Sequence, residues 1–141
     1  IDSTKRVTSA KLLKGASLTI HEKLMTHGSQ YAETDFTVDM DGEDSSANVV
    51  SRSVAKEESH QIFRSRINGN NRCSGHTECD AIIMDDASVS AIPELTANDI
   101  DAALIHEAAI GKIAGEQLIK LMTLGLTEAE AEEQIINGFL K

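Results

Sequence analysis

The stretch that decides the fold begins with the sequence GHTECD at residues 75–80 and continues to LIHEA at residues 104–108. In the first piece Gly, Thr and Cys alternate with ionisable residues, and this period of two is typical of a β-strand. Helical patterning appears only near the carboxy-terminal end of the chain. We therefore predict an all-β core over residues 1–111 and a small two-helix subdomain over residues 112–141.

Upstream of these pieces, short apolar runs are separated by turn-forming residues, and this pattern predicts many strands. Phe36, Val38 and Met40 alternate with polar residues, as expected for a half-buried strand. No helical pattern of convincing length interrupts the strands before residue 112. A parallel sheet with helical crossovers is therefore disfavoured.

A closed barrel, an antiparallel sandwich and a β-helix remain, and periodicity alone does not decide among them. Apolar residues recur at 21-residue intervals at Ile62, Ile83 and Leu104, which is compatible with stacked coils that each add one rung. Only 3% of the residues are aromatic, so the core must consist of Ala, Val, Ile, Leu and Met. Cores of this kind suit closely stacked, repetitive architectures.

Composition limits the partners of the chain. The 141 residues carry a net charge of −10, whereas nucleic acids and anionic membranes attract clustered Lys and Arg. Neither is expected as a partner. No apolar run approaches the ~20 residues that span a bilayer, and the opening residues lack the apolar stretch of a signal peptide. We expect a cytoplasmic protein, with this length forming one domain or a piece of a larger protein.

Two amphipathic helices are predicted at the carboxy-terminal end. The apolar stripe of the first contains Leu118, Leu121 and Met122. Gly125 offers a helix stop, and Thr127 with Glu130 has the spacing of a capping box, so the second helix should begin near Glu128. The apolar face of the second helix contains Ala131, Ile135, Ile136 and Phe139.

The candidate chemistry lies with Cys79, His106 and Glu107. A thiolate, an imidazole and a carboxylate are all competent ligands for iron, and a soft sulfur donor is the chief ligand of iron–sulfur clusters. These residues are therefore the candidate metal ligands. The alternative interpretation of Cys79 is a small hydrophobic residue buried in a strand.

A second, weaker metal-binding pattern is Cys73-x-x-His76-x-x-Cys79, whose spacing suggests zinc with His106 as a fourth ligand. In a continuous strand, however, residues 73 and 79 face one way and residue 76 faces the other. These three side chains could converge only if a turn intervened.

The order of these pieces resembles the carboxy-terminal part of the SufB/SufD family, which belongs to the SUF machinery for iron–sulfur cluster assembly. The resemblance includes AIPEL at residues 91–95 and IINGF at residues 135–139. It implies a right-handed parallel β-helix followed by a small helical domain. Members of the family are generally much longer, so this chain is expected to begin within the β-helix.

The resemblance also implies roles for individual residues. Cys79 matches the cysteine that SufB-type proteins use in building the nascent cluster, and His106-Glu107 matches a segment whose carboxylate works with that cysteine. The sequence departs from the SufB pattern at Ile105, where those proteins often carry another Glu. SufD-type proteins keep the histidine but commonly lack the cysteine and the following carboxylate, so the chain has mixed character.

Partners are implied in the same way. In SufB/SufD proteins the corresponding helices dock the ATPase subunit SufC, and two β-helix subunits pair as a homodimer or a heterodimer. The residues expected to dock a SufC-like ATPase are Leu118, Leu121, Met122, Ile136 and Phe139. The alternative is that the two helical stripes pack on each other and cap the open end of the β-helix. The chain lacks Gly-x-x-x-x-Gly-Lys-Ser/Thr, so no nucleotide is expected to bind to it.

Three functions stay open on this sequence. The main expectation is a non-enzymatic scaffold on which a transient iron–sulfur cluster is assembled beside an ATPase. The second is a zinc-dependent or thiol-dependent enzyme that uses Cys79, His106 and Glu107, although no third orienting group or oxyanion donor can be assigned. The third is a catalytically silent β-helix that bridges partners.

Overall fold

The computed structural model describes residues 2–141, which form eight strands in two parallel sheets followed by two helices. The strands are β1 (Ser3–Leu12), β2 (Ser17–Thr26), β3 (Tyr31–Met40), β4 (Ser45–Ala55), β5 (His60–Gly69), β6 (Cys73–Ile83), β7 (Ser88–Ala97) and β8 (Ala102–Gly111), and the helices are α1 (Gly115–Thr123) and α2 (Glu128–Leu140). Sheet A has the order β1-β3-β5-β7, and sheet B has the order β2-β4-β6-β8. Because successive strands alternate between the sheets and every pairing is parallel, the chain winds as a β-solenoid. The predicted β-helix is confirmed, and the barrel and the antiparallel sandwich are excluded.

Each coil of the solenoid spans 28 or 29 residues, as the offset between Ser3 and Tyr31 in the β1–β3 pairing illustrates. The 21-residue coil suggested by the sequence is wrong. Ile62 belongs to β5 in sheet A, whereas Ile83 and Leu104 belong to β6 and β8 in sheet B. A coil contains two strands of ten or eleven residues and two turns, and 21 residues cannot hold all of these.

The core lies between the two sheets, where every second side chain points inward. The predicted alternation is confirmed, because Phe36, Val38 and Met40 are buried and the residues between them are only half-buried. The rings of Phe36 and Phe63 lie 5.9 Å apart between centroids, and the rest of the core is largely aliphatic. The low aromatic content is thus accommodated by close stacking of small side chains between successive coils.

Both predicted helices are present. The capping box forms as expected: the Glu130 amide donates to Thr127 Oγ1 (3.2 Å), and the Thr127 amide donates to Glu130 Oε1 (3.1 Å). Gly125 has a φ of 97°, a left-handed conformation that other residues adopt only with backbone strain. Glycine can therefore end the preceding helix here without that strain. Within residues 2–141, neither helix combines the length and the apolar character needed to cross a bilayer.

The helices lie along the solenoid and do not close its end. They pack on each other, and α2 also packs on β4, where the outward-facing side chains of Val50 and Val54 are buried. The two helices contact each other, but no residue of α1 is buried, so its apolar stripe is not enclosed by α2. The expected cap over the open end is wrong, because β7 and β8 stay exposed along most of their length.

The last coil consequently presents an uncovered end. Cys79 on β6 is buried, but Ala108, its register partner on β8, is exposed although it faces the interior. Leu95 on β7 and Ile110 on β8 also lie in inward-facing register and are each 38% exposed. In the described part of the chain, β7 and β8 each pair on one side only. Apolar side chains and unpaired backbone groups are thus exposed together at this edge.

Candidate functional site

The pairing of β6 with β8 brings the two quoted pieces of sequence side by side. Thr77 lies opposite His106, and Glu78 lies opposite Glu107. We call residues 76–80 of β6 and 105–108 of β8 the β6–β8 seam. Because side chains alternate along both strands, the seam has an inner face toward the core and an outer face toward solvent.

Cys79 lies on the inner face and is almost completely enclosed. It is 1% exposed and belongs to a core cluster with Phe36, Val49 and Phe63. Burial raises the pKa of its thiol to about 11, and the negative charges of Asp80 and Glu22 contribute further. Cys79 is therefore a protonated thiol at neutral pH, and a bound metal ion must displace its proton.

His106 lies on the same inner face, and only one of its ring nitrogens has a partner. Its Nδ1 is 2.5 Å from Thr77 Oγ1. Its Nε2 is buried, and within residues 2–141 it makes no hydrogen bond. Burial lowers the pKa of His106, the nearby His76 lowers it further, and Glu107 acts in the opposite direction. The ring is thus neutral, with an unpartnered nitrogen that can bind a metal ion.

The outer face of the seam gathers a second set of metal-ligating groups. One ligand atom each from His76, Glu78 and Glu107 lies within 4.8 Å of the other two. His76 Nε2 is 3.8 Å from Glu107 Oε2, and His76 Nδ1 is 2.7 Å from Asn48 Oδ1. An amide oxygen can only accept, so Nδ1 donates, and Nε2 is the ring nitrogen that faces the carboxylates.

These carboxylates repel one another. The pKa of Glu78 is raised, first by its hydrogen bond to Asp80, then by burial, and then by the charges of Asp80 and Glu107. Among the described residues, no lysine or arginine lies within 4 Å of the carboxylates of Glu78, Asp80 and Glu107. Only His76 comes within that distance, and its partner is Glu107. The outer face therefore concentrates three carboxylates, with Arg52 opposite Asp80 on the neighbouring strand but no lysine or arginine within 4 Å of them in the described part of the chain.

The structure divides the ligand set expected from sequence. Cys79 and His106 lie on the inner face, whereas Glu107 lies on the outer face, so the sheet separates the carboxylate from the thiol. The zinc pattern is not assembled either. Cys73 is buried in a different core cluster, and His76 points the opposite way, as strand parity predicted.

The residues expected to dock a partner differ in their exposure to solvent. Ile136 is only 2% exposed, and Leu118, Leu121 and Phe139 are half-buried. Met122 is 44% exposed, together with two apolar residues that the expected set omitted, namely Ile119 (63%) and Leu124 (79%). The free apolar surface of the helices thus lies on α1 and the turn after it.

Two residues of the outer face, Glu78 and Asn48, were missed by sequence reasoning. Glu78 shares strand parity with His76, so the alternation could have indicated it. Asn48 could not have been found in this way, because it reaches His76 only through the register of β4 with β6.

Comparison with known proteins identifies the family. The family model described as SUF system FeS cluster assembly, SufBD core domain, matches residues 3–139. The chain is a member of the SufBD family. Membership supports a role in iron–sulfur cluster assembly and confirms the resemblance found in the sequence.

Curated relatives carry the same description. The chain is 41% identical over 103 residues to an iron-sulfur cluster assembly SufBD family protein of Methanothermobacter thermautotrophicus, covering 72% of this chain and 25% of that protein. It is 40% identical over 102 residues to one of Archaeoglobus fulgidus, covering 71% and 27%. It is 34% identical over 100 residues to one of Staphylococcus saprophyticus, covering 68% and 22%. The matched part of this SufBD chain thus corresponds to about a quarter of the relatives' length.

Proposed function

We propose that this SufBD chain is part of a non-enzymatic scaffold on which an iron–sulfur cluster is assembled. The observation that carries the proposal is the inner face of the seam. There the Cys79 thiol and the unpartnered Nε2 of His106 lie on one face of two adjacent strands, next to the open end of the solenoid. A soft thiolate and a neutral imidazole are ligands that iron–sulfur clusters accept.

Cys79 is enclosed in the core, but it lies close to the open end of the solenoid. Only β8 separates it from the uncovered edge, and the register partner that lies above it is Ala108, a small residue. The spacing of neighbouring strands places a chain added beyond β8 about 10 Å from β6. A cluster nucleated on Cys79 would therefore form close to whatever covers this edge.

The uncovered edge supports a second SufB/SufD-like subunit as partner, in a homodimer or a heterodimer. Strand edges with unpaired backbone groups readily accept another strand. Leu95, Ala108 and Ile110 would supply the apolar contact, since they face the interior and are exposed at this end. Such a pairing would enclose the region between Cys79 and solvent.

A SufC-like ATPase fits the exposed surface of α1. Ile119, Met122 and Leu124 are exposed apolar side chains on or beside this helix, whereas Ile136 of the expected docking set is buried. In this proposal the ATPase supplies nucleotide hydrolysis and the SufBD chain supplies the assembly surface. Both cysteines are unpaired thiols, which agrees with work in the reducing cytoplasm.

The thiol-enzyme alternative is weaker on the same geometry. A nucleophilic cysteine needs a lowered pKa and access to substrate, whereas the pKa of Cys79 is raised to about 11 and its side chain is 1% exposed. His106 directs Nδ1 to a threonine rather than to a carboxylate that would orient it as a base.

Anaerobic reconstitution with iron and sulfide tests the proposal. The wild-type chain and Cys73→Ser should develop visible charge-transfer absorption, and Cys79→Ser should not. Cys73 is a matched control because it lies on the same strand, faces the same way and is also buried. Equal absorption in Cys79→Ser and wild type would contradict the proposal. If wild type, Cys73→Ser and Cys79→Ser all lack the charge-transfer absorption, a silent bridging role would be favoured.

A further inference from the structure

We propose that His76, Glu78 and Glu107 form a binding site for a single divalent metal ion on the outer face of the β6–β8 seam, separate from Cys79. The existence of this site does not depend on the proposed function. Its natural ion, Fe(II), does rest on the proposed function, since iron is what a cluster scaffold must collect. The site lies across the sheet from the thiol and uses a different set of ligands.

The spacing of the ligand atoms fits one ion. Protein nitrogen and oxygen ligands lie about 2.0–2.2 Å from a transition metal ion, so two ligands of one ion are at most about 4.4 Å apart. The three ligand atoms here lie within 4.8 Å of one another, and His76 Nε2 is 3.8 Å from Glu107 Oε2. Rotamer adjustments of less than about 1 Å would bring all three within bonding distance of one ion.

The imidazole is already oriented for binding. Metal-binding histidines almost always donate their second ring N–H to an oxygen, which fixes the tautomer and the ring plane. Asn48 Oδ1 supplies that acceptor at 2.7 Å from His76 Nδ1. Asn48 acts here as a positioning residue, because it holds the ring through the nitrogen that does not face the carboxylates.

The arrangement of charges also indicates a cation. Glu78 and Glu107 are direct register partners on parallel strands, and like charges in this position are destabilising. Elsewhere on the solenoid the chain does neutralise such groups, as it does for Glu33 with Lys5 and Arg64. Arg52 is the register partner of Asp80, but no lysine or arginine among residues 2–141 lies within 4 Å of Glu78 or Glu107, so a bound divalent ion would supply positive charge to this pair.

The donor set selects a class of ion. Two carboxylates and one imidazole offer hard and borderline donors without sulfur, a set that suits Fe(II), Mn(II) and Zn(II) and disfavours Cu(I). Glu107 is exposed, and the neighbouring Ile105 is 56% exposed, so water can complete the coordination and the ion can exchange. Such a site would hold an exchangeable Fe(II) ion at the surface of the chain.

The test measures ion binding directly, on the 141-residue chain under anaerobic conditions. Fe(II) binding is followed by competition with a chromophoric Fe(II) chelator, and Mn(II) is used for electron paramagnetic resonance. Wild type should bind one equivalent of Fe(II). His76→Gln and Glu78→Gln should each lose more than the ~10–100-fold that is typical of changes around the ligands, and Asn48→Ala should lose about tenfold, restored by Asn48→Asp. Bound Mn(II) should show coupling to an imidazole nitrogen that disappears in His76→Gln.

The matched control is Glu58→Gln, which makes the same charge change at an exposed turn and should bind Fe(II) like wild type. Circular dichroism confirms that each variant is folded. Binding that survives in both His76→Gln and Glu78→Gln, or Mn(II) without nitrogen coupling, would overturn the site. Cys79→Ser separates the two proposals: loss of the cluster with retained Fe(II) binding supports both. If wild type binds Fe(II) but forms no cluster, only the proposed scaffold function is contradicted. If wild type forms a cluster but does not bind the surface ion, only the proposed metal site is contradicted.

Discussion

Glu33 on the outer face of sheet A and Glu78 on the outer face of the β6–β8 seam lie in opposite electrostatic surroundings. On sheet A, Glu33 lies 3.2 Å from Lys5 and 3.1 Å from Arg64, and the hydrogen bond from Arg64, followed by that from Lys5, lowers its pKa. In the seam, Glu78 faces Glu107 without a lysine or arginine partner in the described part of the chain, and its pKa is raised. The chain can therefore neutralise carboxylates on a strand ladder. The pair Glu78 and Glu107, which lacks a lysine or arginine within 4 Å among residues 2–141, is the feature that the proposed metal site would explain.

The largest expected effect concerns the packing of α2 on β4 of sheet B. Ile136→Asp places a charge at a buried position of α2, which packs on β4, and should lower the free energy of unfolding by about 3–5 kcal/mol. Leu124→Asp changes a residue that is 79% exposed and should leave stability unchanged while weakening any partner bound to α1. Denaturant unfolding compares the two variants. Similar destabilisation by both would mean that the helices are not held as described.

The next effect concerns the inner face of the seam. Because burial raises the pKa of Cys79 to about 11 from the 9.0 of a free thiol, its thiolate fraction at neutral pH is about a hundredfold lower than in the unfolded chain. Alkylation by iodoacetamide should therefore be at least that much slower in the native protein and should accelerate as the pH rises toward 11. Mass spectrometry of the Cys73→Ser variant measures Cys79 alone. Rapid native alkylation at pH 7 would show that the thiol is accessible and ionised.

Local pattern was enough to predict much of this fold. The alternation around Phe36 and Met40 and the capping box at Thr127 each depend on residues close in sequence, and both features are present. The coil length was not predictable in the same way. Apolar residues recur at 28 or 29 residues in some inward ladders, as at Ala10, Val38, Ile67 and Leu95. Other inward ladders mix apolar and polar residues, as at Ile20, Val49, Thr77 and His106, so the period is hard to recognise in the sequence.

In the candidate site, too, features that depend on neighbouring residues could be predicted, and features that depend on strand pairing could not. Parity alone placed His76 on the opposite side of its strand from Cys73 and Cys79, which the structure confirms. Whether Glu107 would join His76 or Cys79 depended on the register of β6 with β8, and a slip of one residue would have reversed the answer. Docking residues were predicted from helical stripes, and stripes do not reveal which side packs on the solenoid.

The most direct test of the central claim compares Glu78→Gln with Glu33→Gln in metal-free denaturant unfolding as a function of pH. A raised folded pKa penalises the charged form, so wild type loses stability as the pH rises above about 4.5 through the pKa of Glu78. Glu33, with a lowered pKa, contributes stability above about 4.5 that is lost as the pH falls through its folded value.

At pH 7 Glu78→Gln should therefore be more stable than wild type, by about 0.5 kcal/mol, and Glu33→Gln should be less stable. Both differences should shrink toward acid pH, and saturating Mn(II) should stabilise wild type but not Glu78→Gln. If Glu78→Gln instead destabilises the metal-free chain at pH 7, the seam carboxylates are structural and the account is contradicted.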